Sequence, residues 1–147
     1  MKNEIVIEFL KTYTSEALEA FNRLLSQLNT DIPKLSEKYV LEILQSENTR
    51  IFVARNDDGM IIAMITLVMF KALSGKRAVL EDFVVDKDYR GQGLGKKLLH
   101  TTLSFAREEN ISYIDLTSRP SRIEANNLYS SLGFEKRGTN VYRYIIK

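Results

Sequence analysis

The chain has 147 residues with no cysteine and a formal net charge of +2, and 44% of its residues are hydrophobic. This composition supports one domain with a real core over residues 1–147, excludes disulfides, thiolate nucleophiles and cysteine-ligated metals, and gives no basic surface that favours nucleic acid. The sequence has neither an N-terminal apolar stretch nor a run of ~20 apolar residues, so we expect a cytoplasmic protein without a signal peptide or membrane association.

The chain begins with a strand followed by two helices. Residues 4–10 alternate weakly in hydropathy, which predicts the strand. Thr14 is a plausible N-cap for the first helix, whose apolar residues recur at helical spacing up to Leu28. The Ile32-Pro33 pair ends that helix, and Ser36 is able to cap a second one.

Three further strands are separated by turn signals, the clearest of which is Asn56–Gly59. These strands are predicted at residues 51–54, 60–70 and 78–85. A glycine-containing turn then opens a helix with apolar residues from Leu94 to Ala106. A strand at residues 112–116, a helix that Gly133 ends, and a closing hairpin within 134–146 complete the chain. The order β-α-α-β-β-β-α-β-α-β predicts an α/β fold with a mixed sheet.

The most informative segment is the turn in which Gly91, Gly93 and Gly95 open the third helix. Backbone N–H groups at a helix start point outward unpaired, and glycine lets them approach an anionic group closely. The spacing fits neither a Walker A loop, nor a dinucleotide fingerprint, nor a kinase glycine loop. A phosphate-bearing ligand is therefore predicted here. The alternative is a glycine-rich turn that lets the helix pack close to the sheet.

Two segments resemble the GNAT superfamily of acetyl-CoA-dependent N-acetyltransferases. Arg90-x-x-Gly93-x-Gly95 is similar to the pyrophosphate-binding signature R/Q-x-x-G-x-G/A. Ala125-Asn-Asn-Leu-Tyr-Ser-Ser-Leu-Gly-Phe134 is similar to the family's A-x-x-(L/F)-Y-x-x-x-G-F segment, and its distance from the glycine turn is typical. The resemblance implies a GNAT-like fold, in which a central twisted mixed sheet has helices on both faces. It also implies acetyl-CoA as co-substrate, with a pantetheine arm lying between splayed fourth and fifth strands.

The resemblance further implies which residues bind the cofactor. The backbone of residues 83–85 would pair with pantetheine, and the glycine turn would hold the pyrophosphate with help from the helix dipole. Arg122 stands where many relatives carry asparagine, and three roles stay open for it: binding a phosphate of coenzyme A, capping the helix, or meeting an anionic acceptor. The predicted cofactor-binding residues are Phe83, Val84, Val85, Arg90, Gly91, Gln92, Gly93, Leu94, Gly95, Lys96, Arg122 and Asn126.

Glu81 and Asp82 are the candidates for a general base. An amine with a pKa near ~10.4 is protonated at neutral pH, so a group must accept its proton, directly or through water. Consecutive strand residues point to opposite faces, so only one carboxylate faces the cleft unless a bulge intervenes. Glu81 is favoured, because acidic residues at that place in similar acetyltransferases lie near the acceptor amine. A salt-bridged or edge-exposed acidic pair is the alternative.

The resemblance implies that Tyr129 donates its phenolic proton to the coenzyme A thiolate or holds the sulfur by a hydrogen bond. A core aromatic residue is the alternative. No grouping of side chains has metal-ligand spacing, so no metal is predicted. The predicted function is transfer of an acetyl group to a primary amine, on a small molecule or peptide, by direct attack in a ternary complex. The alternative is a non-catalytic acyl-CoA-binding regulatory module, and a homodimer is allowed.

Overall fold

The computed structural model describes residues 4–147, which divide into two compact units at residues 116 and 117. The strands are β1 (Val6–Phe9), β2 (Thr49–Arg55), β3 (Ile61–Ala72), β4 (Gly75–Val85) and β5 (Ile114–Asp115). The helices are α1 (Ser15–Leu28), α2 (Glu37–Gln45), α3 (Leu94–Glu108) and α4 (Ile123–Ser131). A 3-10 turn at Lys87–Tyr89 follows β4. All five strands and the first three helices lie in the first unit, and α4 lies in the second.

The first unit is built on one mixed sheet, which confirms the predicted fold class. The strand order is β1-β2-β3-β4-β5. The pairs from β1 to β4 are antiparallel. Short turns join β2 to β3 and β3 to β4, whereas α1 and α2 lie between β1 and β2. β5 pairs with β4 in parallel, and α3 provides the crossover that a parallel pair requires.

Helices cover both faces of this sheet. Ile51 and Val53 of β2 join a core cluster to which α1 and α2 contribute. Phe52 lies between them in sequence and points to the other face, where its ring lies 5.3 Å from that of Phe105 in α3. Because both faces are covered, the middle of β2 and the first part of β3 are buried without interruption.

Two helix caps predicted from sequence are confirmed. The Thr14 hydroxyl accepts a hydrogen bond from the Ala17 N–H at 3.0 Å, and α1 begins at the next residue. The Ser36 hydroxyl accepts one from the Tyr39 N–H at 3.1 Å, at the start of α2. In both cases a side-chain oxygen satisfies a backbone donor that the helix leaves without an acceptor.

The second unit differs from the sequence prediction at its end. Residues 134–147 form neither strand nor helix, whereas the sequence predicted a closing hairpin there. β-branched and aromatic residues favour a strand only when a neighbouring strand accepts their backbone hydrogen bonds, which propensity by itself does not supply. The segment leaves several large apolar side chains 70–88% exposed: Val141, Tyr142, Tyr144, Ile145 and Ile146.

No helix among residues 4–147 is long and apolar enough to cross a bilayer.

Candidate active site

A β-bulge on β4 sets the positions of the two consecutive carboxylates. Glu81 and Val84 each pair with a residue of β3, and β3 has a single residue between those partners. β4 has two residues in the same interval, Asp82 and Phe83. Asp82 has a φ of 52°, in the left-handed region that aspartate tolerates better than most residues. The bulge interrupts the alternation of side chains between the two faces of the strand. Consecutive carboxylates at this point are therefore not required to point to opposite faces.

Asp82 lines a pocket of about 450 Å³ in the first unit. Buried side chains of α1, α2 and the sheet form its floor, among them Phe21, Val40 and Met64. Part of its rim comes from the connection between α1 and α2. Glu81, which the sequence favoured, is an exposed residue outside the described residues that line this pocket.

The environment of Asp82 changes its acidity. The carboxyl is exposed to solvent at the pocket wall, yet the surrounding protein removes part of its hydration. This desolvation disfavours the charged form and raises the pKa of Asp82 above its ordinary value. A carboxylate with a raised pKa holds a proton more readily, which is a property that a general base requires.

The turn between β4 and α3 presents backbone N–H groups at a helix start. Gly93 is the N-cap residue of α3. Because glycine has no side chain, no side-chain hydrogen bond caps this helix. The Lys97 N–H donates to the Gly93 carbonyl at 3.2 Å, so the N–H groups of the preceding first turn have no acceptor within the helix. These groups and the positive end of the helix dipole form an environment suited to a phosphate.

Gly91 and Gly93 are required by backbone conformation and not by close packing. Their φ angles are 79° and 77°, a region that residues with a Cβ adopt at a cost. A Cβ built at either position meets no protein atom within 4 Å. A turn that merely lets the helix pack close to the sheet therefore does not account for these two residues. The open space beside them is compatible with a ligand that approaches the backbone.

Asp86 fixes the start of this turn. The residue is 5% exposed, and its carboxylate accepts a hydrogen bond from the Asp88 N–H at 3.1 Å. The same carboxylate forms an ion pair with Arg23 of α1 at 3.3 Å. Farther along, the Arg90 Nε–H donates to the Val85 carbonyl at 2.9 Å, which closes the turn back onto β4. Asp86 and Arg23 were not predicted as site residues, and their one signal in the sequence was an aspartate directly after a predicted strand.

β4 runs well past its pairing with β5. The two strands pair only at Ala78 with Ile114 and at Val79 with Asp115. The predicted pantetheine-binding residues, Phe83–Val85, come after this paired region. The short pairing agrees with the splayed fourth and fifth strands that the resemblance implies.

In the second unit, the end of α4 fixes Tyr129. Gly133 follows the helix with a φ of 94°, as predicted for the residue that terminates it. The Phe134 N–H donates to the Tyr129 carbonyl at 3.0 Å, and the Gly133 N–H donates to the Ser130 carbonyl at 3.2 Å. The ring centroids of Tyr129 and Phe134 lie 5.8 Å apart. The backbone hydrogen bonds at the helix end and this aromatic contact both restrain the position of Tyr129.

Burial and a nearby charge act in opposite directions on Tyr129. The residue is 7% exposed, and desolvation raises the pKa of its hydroxyl above the ordinary value. The positive charge of Arg122 lowers that pKa by a smaller amount. The phenol is therefore protonated at neutral pH and is able to donate a hydrogen bond.

Two further predicted residues lie at the start of α4. Arg122 is the N-cap residue, but its side chain makes no capping hydrogen bond, so helix capping is not its role here. Asn126 donates its side-chain N–H to the Arg119 carbonyl at 3.0 Å, which braces the turn before α4. Cofactor binding by Asn126 stays a prediction.

The pocket wall comes largely from the first two helices and the loop around Pro33, the segments that shape the acceptor side in the family the sequence resembles. Ile32, Lys34 and Tyr39 contribute to it from the α1–α2 connection and the first turn of α2. The Ile32-Pro33 break predicted the loop to which Ile32 and Lys34 belong. A pocket wall depends on which segments of the chain meet in space.

The mixed sheet, the short pairing of β4 with β5, and the glycine turn that opens α3 are the features of a GNAT-type acyltransferase architecture. The chain belongs to the GNAT acetyltransferase family, since the sequence profile described as "Acetyltransferase (GNAT) family" matches residues 10–134. This confirms the resemblance drawn from the two motifs.

Individual proteins agree with this assignment. The chain is 32% identical to human N-acetyltransferase 8B over 116 residues, which are 78% of this chain and 49% of the relative. It is 27% identical to mouse N-acetyltransferase family 8 member 3 over 139 residues, which are 93% of this chain and 57% of the relative. The chain thus spans about half the length of these relatives.

Solved structures share the fold. One is an aminoglycoside acetyltransferase from an uncultured soil metagenomic sample in complex with sisomicin, with a TM-score of 0.86, 20% identity and 97% of each chain covered. Another is the aminoglycoside N-acetyltransferase AAC(6')-Iy in complex with CoA, with a TM-score of 0.81, 19% identity, and 99% of this chain and 97% of that one covered. At these identities the likeness concerns the fold alone.

Proposed function

We propose that residues 1–147 form one N-acetyltransferase domain, which transfers the acetyl group of acetyl-CoA to a primary amine by direct attack in a ternary complex. The observation that carries this proposal is the turn at Gly91 and Gly93, where positive φ angles and open space beside the start of α3 leave room for an anionic ligand. Family membership supports coenzyme A as the source of that anion, since the profile match includes this turn.

Each part of the proposed site has one task. Acetyl-CoA supplies the activated acetyl group when bound. The first-turn N–H groups of α3 hold its diphosphate, and the backbone of β4 beyond the β5 pairing holds its pantetheine arm. Asp82 takes a proton from the acceptor amine, directly or through water. The neutral nitrogen then bonds to the acetyl carbon as the carbon–sulfur bond breaks. Tyr129 donates a hydrogen bond or proton to the departing thiolate, and the proton that the acetylated nitrogen loses passes to solvent or replaces the one that Tyr129 gave up.

Glu81 is the alternative base. It is the residue that the sequence favoured, and it lies next to Asp82 at the bulge. The pocket position and raised pKa of Asp82 support Asp82 in preference.

A titration with acetyl-CoA and a thiol-release assay over a panel of amines test this function. We expect saturable binding of acetyl-CoA and release of free thiol only when an amine is present. Tyr129→Phe should lower turnover by about tenfold or more, because a hydrogen bond to a charged sulfur is lost in the transition state. Its affinity for acetyl-CoA should stay near that of the wild type.

Two outcomes would contradict the proposal. Absence of heat when acetyl-CoA is titrated into folded protein would overturn the cofactor site itself. Tight binding without thiol release for any amine would instead favour the non-catalytic acyl-CoA-binding module.

A homodimer is part of this proposal, and the exposed apolar side chains of residues 141–146 support it. Their sequence, VYRYII, combines β-branched and aromatic residues with a single charge, which is the composition of a segment that pairs readily with another strand. Tyr142 and Tyr144 are 87% and 88% exposed in the single chain. We propose that a second copy of the chain covers them.

Light scattering coupled to gel filtration tests the dimer. The wild type should elute with twice the mass of the chain, and a Tyr142→Glu/Tyr144→Glu variant should elute as a monomer, because charges are not tolerated at a buried apolar contact. Leu73→Glu, at a fully exposed turn residue outside the segment, is the matched control and should stay dimeric. A monomeric wild type would contradict the dimer without affecting the catalytic proposal.

A further inference from the structure

The pocket that Asp82 lines combines an apolar wall with a single negative charge. Phe21, Leu25, Val40, Ile51 and Met64 are buried side chains of this wall. The rim adds Ile32, Pro33, Leu35 and Tyr39 from the α1–α2 connection and the start of α2. A ligand that enters the pocket therefore exchanges water mainly for carbon atoms, which favours an apolar group.

The polar groups of the wall are few, and one of them is already used. The Ser36 hydroxyl accepts a hydrogen bond from the Tyr39 N–H as the cap of α2. Among the described residues that line the pocket, Asp82 is the one acidic side chain and Lys34 the one basic side chain. A second ammonium group on a ligand would meet an apolar wall or the like charge of Lys34.

Charge and size together limit the ligand. An ammonium group placed in apolar surroundings needs a carboxylate partner, and this wall supplies one. The volume of about 450 Å³ lies toward the lower end of the ~300–1,000 Å³ typical of small-molecule sites. A compact ligand with one cationic centre and one apolar group meets both conditions. An aminoglycoside or a polyamine carries several ammonium groups and does not.

We infer that this pocket binds the acceptor, and that the acceptor is a compact monoamine whose amino group is attached to an aryl or branched alkyl group. This inference rests on the proposed acetyl transfer and specifies its substrate class. The amino group lies at Asp82, and the apolar group lies against the floor formed by α1, α2 and the sheet. Tyr39, half exposed at the rim, contributes an aromatic wall and determines part of the specificity.

The test compares four amines in the thiol-release assay: 2-phenylethylamine, ethylamine, spermidine and neamine. We expect kcat/KM for 2-phenylethylamine to exceed that for ethylamine by about 100-fold or more, since each buried carbon group contributes to recognition. Spermidine and neamine should be poorer substrates than 2-phenylethylamine. Tyr39→Ser should reduce the ratio of 2-phenylethylamine to ethylamine, mainly through KM, whereas Tyr113→Ser, at a similarly exposed tyrosine outside the pocket, should leave that ratio unchanged.

Calorimetric binding of 2-phenylethylamine to protein saturated with coenzyme A provides a readout that does not need turnover. If the protein binds 2-phenylethylamine and Tyr39→Ser weakens that binding, the pocket assignment is supported even when no amine releases thiol. Absence of thiol release would overturn only the proposed acetyl transfer. Better turnover of spermidine or neamine, or a ratio near one for 2-phenylethylamine and ethylamine, overturns the inference and leaves the acetyl transfer intact. Absence of 2-phenylethylamine binding together with absence of its turnover also overturns it.

Discussion

Asp82→Asn is expected to lower turnover by about 10²- to 10⁴-fold, the contribution typical of a positioned general base. Asparagine keeps the shape of the side chain and tolerates the left-handed backbone of the bulge, where φ is 52°. The variant therefore removes the proton acceptor with little change in the strand. Steady-state kinetics with saturating acetyl-CoA measure the loss, and the affinity for acetyl-CoA should stay close to that of the wild type.

The same substitution should not destabilise the protein at neutral pH. Because desolvation raises the pKa of Asp82, the folded state binds this proton more tightly than the unfolded state does. The stability that this group contributes is present below its unfolded pKa and is lost as the pH rises through its folded pKa. At neutral pH the charged carboxylate opposes folding, so Asp82→Asn should unfold at an equal or higher temperature. A lower melting temperature of Asp82→Asn at neutral pH would contradict the conclusion that the charged carboxylate opposes folding.

Glu81→Gln is the matched comparison for the catalytic role. It removes the adjacent carboxylate of the same strand without touching the bulge position. We expect a smaller loss of turnover than for Asp82→Asn. If Glu81→Gln has the larger effect, the base is Glu81, as the sequence favoured, and the assignment to Asp82 is wrong.

Gly93→Ala is expected to weaken acetyl-CoA binding by roughly tenfold to a hundredfold, the equivalent of one or two charge-assisted hydrogen bonds. The added methyl group meets no protein atom within 4 Å, and in the proposed complex it takes up space beside the helix N–H groups that the diphosphate approaches. The left-handed φ of 77° adds a cost to folding of about 1–2 kcal/mol. Calorimetry measures the affinity, and thermal unfolding measures the cost.

Gly59→Ala separates these two effects. Gly59 lies in the turn between β2 and β3 with a φ of 79°, and a Cβ there also has no protein neighbour within 4 Å. Both variants should lose similar stability, because the backbone strain is nearly the same. Only Gly93→Ala should lose affinity for acetyl-CoA. Equal affinities in the two variants would show that the α3 turn does not hold the diphosphate.

The features that the sequence predicted well depend on neighbours within a few residues. Thr14 and Ser36 cap their helices through the N–H group three residues later, and Gly133 ends α4 through bonds within one turn. The glycine turn is equally local, since positive φ values and a helix start are properties of a short segment. Two such segments at the right separation were sufficient to predict the family, which the profile match confirms.

Long-range contacts decided the rest. No local pattern indicates which strand residue opposes Glu81, and the register with β3 produces the bulge that places Asp82 at the pocket wall. The ion pair of Arg23 with Asp86 joins residues 63 positions apart. The apolar end of the chain has strand-forming residues but no strand, because a ladder needs a partner that local propensity does not provide. Short-range backbone preferences thus determined most of the elements and the glycine turn before α3, whereas the pocket arose only when distant segments packed together.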